Sequence, residues 1–260
     1  MTFDEKYKEY KEIAEKELGC ASGNHADSRC SPLRDVINYS LESGGKRIRP
    51  VLTLAFCGAY GGNVRQTAVI AAAIEILHTS TLIQDDLPCM DNDDFRRGKP
   101  AVHKAFSEAD VILAASRMVF KAIESVADLG LSSVISMICR YMSAVYDGQK
   151  LDLSAVSGVL DKPQKLHICE LKTCALIQAA CEAGVLSAGG SGGAVRNAAL
   201  YAYNLGLAFQ LIDDILDGEG YENAAEDAEK YTGEALKLLE NVPDNEFLIE
   251  LTKNLLNRKN

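Results

Sequence analysis

Two clusters of aspartates are the residues of this sequence with the clearest chemical potential. In chain order they are Asp85, Asp86 and Asp91 in the first cluster and Asp213, Asp214 and Asp217 in the second. Asp213 and Asp217 are four residues apart and share one face of a helix, where like charges repel. A cation between them would relieve this repulsion, and Mg²⁺ favours sites with few carboxylates because it keeps waters and bridges to phosphates. The spacing therefore predicts a magnesium site that handles a phosphate-bearing substrate.

The alternative interpretation is that these aspartates are solvated residues at helix ends. That explanation suits a single Asp-Asp pair, but each cluster follows an apolar stretch typical of a core helix. Asp85 and Asp86 also lie at a helix C-terminus, where the helix dipole favours cations. Two unfavourable clusters in equivalent places favour the functional interpretation, and the spacing does not fit an EF-hand loop.

Basic residues complement the carboxylates. The turn 44–50 contains two glycines and three cations, and its backbone N–H groups with Lys46 and Arg49 could cradle a diphosphate. It lacks the spacing of a Walker loop, and a basic surface turn is the alternative. Arg96 and Arg97 directly follow the first cluster, and a guanidinium binds phosphate through two hydrogen bonds. A self-neutralising surface loop is the alternative there.

Two further polar residues share a helix face with the aspartates. His78 precedes Asp85 by two helical turns, and Gln210 precedes Asp213 by three residues. Taken alone, His78 is more typical of a hydrogen-bonded core histidine, and Lys172, Thr173 and Gln210 are not distinctive. They gain meaning only from their place among the other motifs.

The elements that position these residues are predicted to be helices. Apolar residues recur at three- and four-residue spacings, no strand-like alternation with hairpin turns is visible, and no composition shift marks a domain boundary. We therefore expect an all-α chain with one domain over residues 1–260. The predicted helices are 3–18, 32–43, 51–60, 64–86, 104–128, 131–147, 163–188, 193–217, 221–241 and 245–256. Helices 67–83 and 198–215 are apolar nearly all round and should lie at the centre.

Composition excludes several classes of function. The net charge of −10 without a basic tract argues against nucleic-acid binding. The eight cysteines form no Cys-x-x-Cys pair, which disfavours a zinc site. No signal-peptide pattern and no apolar run long enough to span a bilayer are visible, so we expect a cytoplasmic protein with reduced cysteines and no transmembrane segment.

Taken in order, the motifs resemble the trans-prenyl (polyprenyl) diphosphate synthases, the group containing farnesyl and geranylgeranyl diphosphate synthases. The motifs that carry the resemblance are Gly44–Pro50, His78 with Leu82–Asp86, Asp91, Arg96–Pro100, Gly148-Gln149, Lys172-Thr173 and Phe209–Asp217. The resemblance covers about residues 30 to 217. It implies a single helical bundle around a deep central cavity, of the isoprenoid synthase type, assembled as a homodimer.

The resemblance also implies a role for each matched residue. Asp85, Asp86, Asp91, Asp213 and Asp217 would hold Mg²⁺, with Asp214 supporting them. The allylic diphosphate (dimethylallyl, geranyl or farnesyl) would contact Arg96, Lys172, Thr173, Gln210 and Asp213. Isopentenyl diphosphate would contact Lys46, Arg49, His78 and Arg97. The implied activity is a condensation of these two diphosphates.

The length of the product is predicted from the residues below Asp85. Ser80 lies about 7.5 Å along the helix axis from Asp85 at 1.5 Å per residue. In the family a bulky aromatic near this position stops the chain at C15, whereas Ser80 and Thr81 are small. Geranylgeranyl diphosphate is therefore favoured, and farnesyl diphosphate is the alternative if a lower residue such as Leu77 closes the tunnel.

Three other functions compete with this one. A non-catalytic regulatory subunit of the same family would usually have lost one aspartate motif, and a class I terpene cyclase would not need Lys46, Arg49 and Arg97. A purely structural bundle is the third. The sequence is also shorter than the family pattern after residue 114 and after Asp217. We expect missing mobile segments near 115 and 218, with a truncated enzyme as the alternative.

Overall fold

The computed structural model describes residues 1–20, 31–155 and 160–256, and nearly all of its regular structure is helical. The helices are α1 Phe3–Gly19, α2 Arg34–Leu41, α3 Ile48–Ala59, α4 Val64–Asp85, α5 Val102–Ala105, α6 Glu108–Ala127, α7 Ser132–Ala155, α8 Lys162–Cys169, α9 Ala175–Ser187, α10 Gly192–Leu216, α11 Ala224–Leu239 and α12 Glu246–Leu256. A π-helical turn, Glu170–Cys174, joins α8 to α9. The all-α prediction is confirmed.

Helix α4 forms the centre of the bundle. It packs against α1, α3, α6 and α9, and the four consecutive residues 70–73 are each at most 3% exposed, so the helix is buried on all sides. Its length and composition alone would suit a membrane span, yet 78% of its most apolar window is buried inside the protein. A helix that is apolar all round belongs in a core, as the sequence predicts.

Helix α10 lies between α9 and α11, and its start and end are both set locally. The Ser191 side chain accepts a hydrogen bond from the backbone N–H of Ala194 at 3.2 Å and caps the N-terminus. Asn63 caps α4 in the same way, accepting from Arg65 and Gln66 at 3.1 and 3.2 Å. The two helices then run from these caps to the aspartate clusters at their C-terminal ends.

Two of the predicted helices are interrupted. The predicted helix 104–128 is wrong in its first part, because Ser107 is extended (ψ 151°) and caps a new helix, α6, by accepting from Asp110 N–H at 3.1 Å. The predicted helix 163–188 is broken by the π-helical turn. Other bounds differ at helix ends: α7 continues to Ala155, and the left-handed Asn223 (φ 67°) delays α11 to Ala224.

A two-stranded hairpin follows the first aspartate cluster, although the sequence pattern indicates none. Strands β1 Phe95–Arg96 and β2 Lys99–Pro100 pair antiparallel. The turn residues Arg97 and Gly98 both have positive φ, 54° and 77°. Two left-handed residues give a turn whose twist matches that of the paired strands, so the hairpin forms. Its strands are too short to show an alternating apolar and polar pattern in the sequence.

The chain is continuous at both places where the sequence is shorter than the family pattern. Helix α6 runs without interruption through residue 115. After α10, the N–H of Glu219 bonds to the carbonyl of Asp214 at 2.8 Å and closes the helix end. Additional residues near 115 and 218 stay a prediction, which the sequence of the natural transcript would test.

Candidate active site

The first aspartate cluster ends α4, and its buried member is neutralised by the hairpin. Asp86 is 1% exposed and accepts hydrogen bonds from Nε of Arg96, at 2.9 Å, and from its Nη2. Arg96 also donates to Asp93 at 2.9 Å. The second oxygen of Asp86, Oδ2, is buried without a hydrogen-bond partner. Arg96 is therefore held in place by the cluster, and one carboxylate oxygen is left available for a ligand.

Asp85 lies among other charged groups beside this pair. Burial raises its pKa to about 6; Lys172 opposes the rise, and Asp91 adds to it. The backbone N–H of Asp91 bonds to the carbonyl of Asp85 at 2.8 Å and folds the loop back over the helix end. Gln149 donates to Asp91 at 3.4 Å. The loop thus keeps the carboxylates of Asp85 and Asp91 close together.

A chain of polar contacts leads from the first cluster to the second. Lys172 lies 2.6 Å from Asp152 and 4.0 Å from Asp91. The next residue, Thr173, donates to Gln210 at 3.0 Å. Gln210 in turn donates to Asp214 at 2.9 Å. Lys172 and Thr173 therefore lie between the two clusters, as sequence reasoning grouped them.

The close approach of two other helices positions Lys172 and Thr173 on the π-helical turn. A Cβ on Gly148 of α7 would lie 2.8 Å from the backbone nitrogen of Lys172. On the opposite side, a Cβ on Gly206 of α10 would lie 2.6 Å from the sulfur of Cys174. Any side chain at either position would push the turn away. Single π-helical turns are frequent at functional sites, because they redirect side chains within a helix.

The second cluster forms the last turn of α10. Asp213 and Asp214 are half-buried, and Asp217 is exposed and caps the helix, with its N–H on the carbonyl of Asp213 at 2.9 Å. Asp213 and Asp217 are thus one turn apart on the same side of the helix, as their spacing predicts.

The basic turn 44–50 meets the hairpin, and its three cations differ. Arg97 donates to the carbonyl of Gly44, which brings the two predicted diphosphate-binding segments together. Lys46 is exposed and Arg49 is half-buried, with an Nε that has no hydrogen-bond partner. Arg47 instead is 3% exposed and lies in a buried ion pair. The sequence does not distinguish these roles.

Arg47 joins three parts of the chain. Its guanidinium lies 3.1 Å from Glu75 of α4 and 2.8 Å from Glu15 of α1, and it donates to the carbonyl of Leu41 at 2.6 Å. The ion pair with Glu75 is almost completely buried, since the two side chains are 1% and 3% exposed. Glu75 also places a negative charge near Arg49. It is a residue that sequence reasoning missed.

His78 lies in the same region, and its surroundings favour the neutral imidazole. Burial lowers its pKa well below the ordinary value, and the nearby guanidinium groups of Arg49 and Arg97 lower it further. Burial likewise lowers the pKa of Arg49. A neutral imidazole beside several guanidinium groups can accept one hydrogen bond and donate another to an anion.

Ser80 and Thr81 lie deeper on α4. Ser80 is fully buried and its hydroxyl donates to the carbonyl of Leu77 at 2.7 Å. Thr81 is 6% exposed and donates to the carbonyl of His78 at 2.8 Å. Both hydroxyls are satisfied by their own helix, so both positions present mainly apolar surface to their neighbours.

The donor set fits magnesium bound together with phosphates. In the described ranges 1–20, 31–155 and 160–256, no three His, Cys, Asp or Glu side chains converge closely enough to hold a metal unaided. The two clusters offer carboxylate oxygens only, among them the unpartnered Oδ2 of Asp86. Mg²⁺ prefers such oxygens, and it completes its shell with waters and substrate phosphates rather than with a protein cage.

Sequence reasoning missed two residues that hold the site together. Asp152 pairs with Lys172, and Gln149, noted only as part of a motif, donates to Asp91. Their three-residue spacing on α7 places both on one helix face. That spacing, together with the motif Gly148-Gln149, was the available signal for Asp152.

Known proteins that are similar to this chain include prenyl diphosphate synthases. A geranylgeranyl diphosphate synthase of Cyanophora paradoxa is 40% identical over 222 residues, which cover 80% of this chain and 72% of the relative. A farnesyl diphosphate synthase of Geobacillus stearothermophilus is 39% identical over 200 residues, covering 73% and 67%. The crystal structure of a geranyltransferase from Legionella pneumophila superposes with a TM-score of 0.88 at 32% identity, covering 99% of this chain and 98% of that one.

The length of the match differs among relatives. The chain spans about half of some plant relatives, for example 54% of a chloroplastic heterodimeric geranylgeranyl pyrophosphate synthase large subunit of Arabidopsis thaliana. The model of the family described as polyprenyl synthetase matches residues 30–238, which contain both aspartate clusters and both basic segments. The resemblance drawn from the sequence motifs is thereby confirmed, and the chain belongs to the polyprenyl synthetase family.

Proposed function

We propose that the protein is a magnesium-dependent prenyltransferase that condenses isopentenyl diphosphate with an allylic diphosphate to a short-chain all-trans product. The observation that carries this proposal is the polar chain from Asp91 through Lys172, Thr173 and Gln210 to Asp214. This series of contacts connects the two carboxylate clusters through a cation, which supports binding of a diphosphate together with a metal.

The residues of the chain would share the work as follows. Asp85, Asp86, Asp91, Asp213 and Asp217 hold Mg²⁺, with Asp214 supporting them. When bound, the metal neutralises the charge of the departing diphosphate as a Lewis acid. The allylic diphosphate contacts Arg96, Lys172, Thr173, Gln210 and Asp213. Isopentenyl diphosphate contacts Lys46, Arg49, His78 and Arg97.

The reaction needs exclusion of water more than it needs a nucleophilic side chain. The allylic carbon–oxygen bond breaks, the double bond of isopentenyl diphosphate forms the new carbon–carbon bond, and the released diphosphate takes the final proton. Ile83, Leu87 and Leu211 are each 3% exposed, and each lies within two residues of an aspartate of the clusters, so the site is backed by apolar packing. Such walls protect an electron-deficient carbon from water.

The test is turnover of isopentenyl diphosphate with dimethylallyl, geranyl or farnesyl diphosphate in the presence of Mg²⁺. We expect Asp85→Ala and Asp213→Ala each to abolish turnover while circular dichroism stays like that of the wild type. Near-normal activity in either variant would refute the proposal. Inactivity of the wild type until a second family member is added would identify the regulatory subunit instead.

We propose geranylgeranyl diphosphate as the main product, with farnesyl diphosphate as the alternative. Support comes from the small Ser80 and Thr81 on α4 and from similarity to relatives named geranylgeranyl diphosphate synthases. Similarity to a farnesyl diphosphate synthase supports the alternative. Chromatography of the dephosphorylated products distinguishes the two.

We also propose that the protein is a cytoplasmic homodimer. Three apolar residues on one side of α6 support the dimer: Ile112 is 49% exposed, Leu113 57% and Phe120 72%. Burial of this face against a second copy would remove it from water. Light scattering of the wild type and Phe120→Asp tests the dimer, and a monomeric wild type would contradict it. Fractionation of the source cells tests the location.

A further inference from the structure

A cavity of about 320 Å³ lies between α8, the π-helical turn and the end of α10. Its polar lining residues include Lys165, Lys172, Thr173, Gln210, Asp214 and Glu219. Four of these already belong to the site, whereas Lys165 and Glu219 do not. The cavity thus extends the site towards α8, which contains none of the motifs that carry the family resemblance.

Lys165 differs from Lys172 in what surrounds its charge. Its Nζ donates to the backbone carbonyl of Glu219 at 3.0 Å, and no carboxylate lies within 4.0 Å of it among the residues that the structure describes. Lys172, by contrast, is compensated by Asp152 at 2.6 Å and by Asp91 at 4.0 Å. Lys165 is therefore half-buried without an ion-pair partner, although Asp152, Asp214 and Glu219 also line the cavity, and its amine can donate to a bound anion.

The carbonyl that holds Lys165 is itself fixed to the second aspartate cluster. Glu219 follows the left-handed Gly218 (φ 78°), and its N–H bonds to the carbonyl of Asp214 at 2.8 Å. The same Asp214 accepts from Gln210, which accepts from Thr173. The amine of Lys165 is thus hydrogen-bonded to the turn that ends α10. It lines the same cavity as Thr173 and Gln210.

We propose that Lys165 is a further substrate-binding residue, which contacts the diphosphate head group of the allylic substrate from the α8 side. This rests on the proposed function. The competing explanation is structural: Lys165 would only tether α8 to the C-terminal turn of α10, where cations are favourable. The two explanations differ in whether loss of the amine weakens anion binding.

The experiment measures binding of inorganic pyrophosphate with Mg²⁺ by titration calorimetry, independently of turnover. Lys165→Met removes the amine and keeps the aliphatic stem, and Lys165→Arg restores a positive charge. Lys162→Met is the matched control: Lys162 is on the same helix and pairs with Asp227 at 2.5 Å, outside the cavity lining. Thermal unfolding of each variant reports any loss of the tether.

We expect Lys165→Met to bind pyrophosphate about tenfold more weakly than the wild type, which corresponds to about 1.4 kcal/mol. Lys165→Arg should recover most of the affinity, and Lys162→Met should keep all of it. The Michaelis constant for the allylic diphosphate should rise in parallel in Lys165→Met. Equal pyrophosphate affinity in the two methionine variants overturns the inference, as does an active wild type that binds no pyrophosphate.

Failure of the proposed function looks different. In that case the wild type forms no prenyl product with any allylic diphosphate, whatever the affinity of Lys165→Met for pyrophosphate. If Lys165→Met does not fold, the comparison moves to Lys165→Gln and Lys165→Arg, which differ in charge. Equal affinity in that pair also overturns the inference.

Discussion

Replacing Glu75 by glutamine should destabilise the protein strongly, although Glu75 is not in the proposed reaction. The substitution keeps the shape of the side chain and removes the charge that faces Arg47 at 3.1 Å. The two side chains are 3% and 1% exposed, so the guanidinium of Arg47 would stay buried after losing its buried counter-charge. Loss of one partner from a buried pair costs about 3–5 kcal/mol. Glu15 still lies 2.8 Å from Arg47, which favours the lower end of that range.

The assay is thermal unfolding at neutral pH. A loss of about 3 kcal/mol lowers Tm by roughly 6–12 °C for a chain of this size. Glu15→Gln is the control, because Glu15 is 41% exposed and its contribution should stay below about 1 kcal/mol. The double variant Arg47→Met/Glu75→Leu should be more stable than Glu75→Gln, since no charge remains to desolvate. Equal, small shifts for Glu75→Gln and Glu15→Gln would refute this reasoning.

Three further predictions concern the site itself. Gly148→Ala should lower kcat at least about tenfold, because its Cβ would lie 2.8 Å from Lys172 N; Gly233→Ala, whose Cβ contacts nothing, should raise stability by about 0.5–1 kcal/mol. The lowered pKa of His78 means that the unfolded chain binds a proton below pH 6.5 that the folded protein does not. The free energy of unfolding should therefore decrease as the pH is lowered below 6.5, by up to about 1.4 kcal/mol per pH unit. A pH series of denaturant titrations should show a smaller decrease in His78→Gln. Ser80→Tyr should shorten the main product from C20 to C15, with Ser80→Ala as control; an unchanged C15 product in all three proteins would exclude residue 80 as the floor.

The sequence predicts the helices that carry the two aspartate clusters well because the apolar pattern is long and has clear ends. Apolar residues on all sides of 67–83 require a core helix, and the pattern stops at Asp85. The same holds for α10 and Asp213. The core position of α4 follows from this pattern, whereas the grouping of Lys172 and Thr173 with Gln210 follows from the resemblance to the family.

What could not be predicted depends on tertiary contacts. Nothing in the local sequence 162–187 indicates a π-helical turn, and the glycines that contact it closely, Gly148 and Gly206, belong to other helices. Arg47 looks the same as its neighbours Lys46 and Arg49 until Glu75 and Glu15 are placed around it. The break at Ser107 did have a signal, since serine followed by Asp110 is a helix start.

The π-helical turn lets the α8–α9 segment hold one residue more than a continuous α-helix would. An α-helix rotates by about 100° per residue, whereas a π-helical turn rotates less per residue, so α8 and α9 keep nearly the relative orientation of one unbroken helix. The extra residue therefore displaces only the side chains within 170–174, and Lys172 and Thr173 are two of these. Deleting one residue from the turn should leave the bond from Lys165 to the carbonyl of Glu219 and the packing of α9 on α3 and α10 in place. It should instead separate Lys172 from Asp152, or Thr173 from Gln210, which no change of side-chain type would repair.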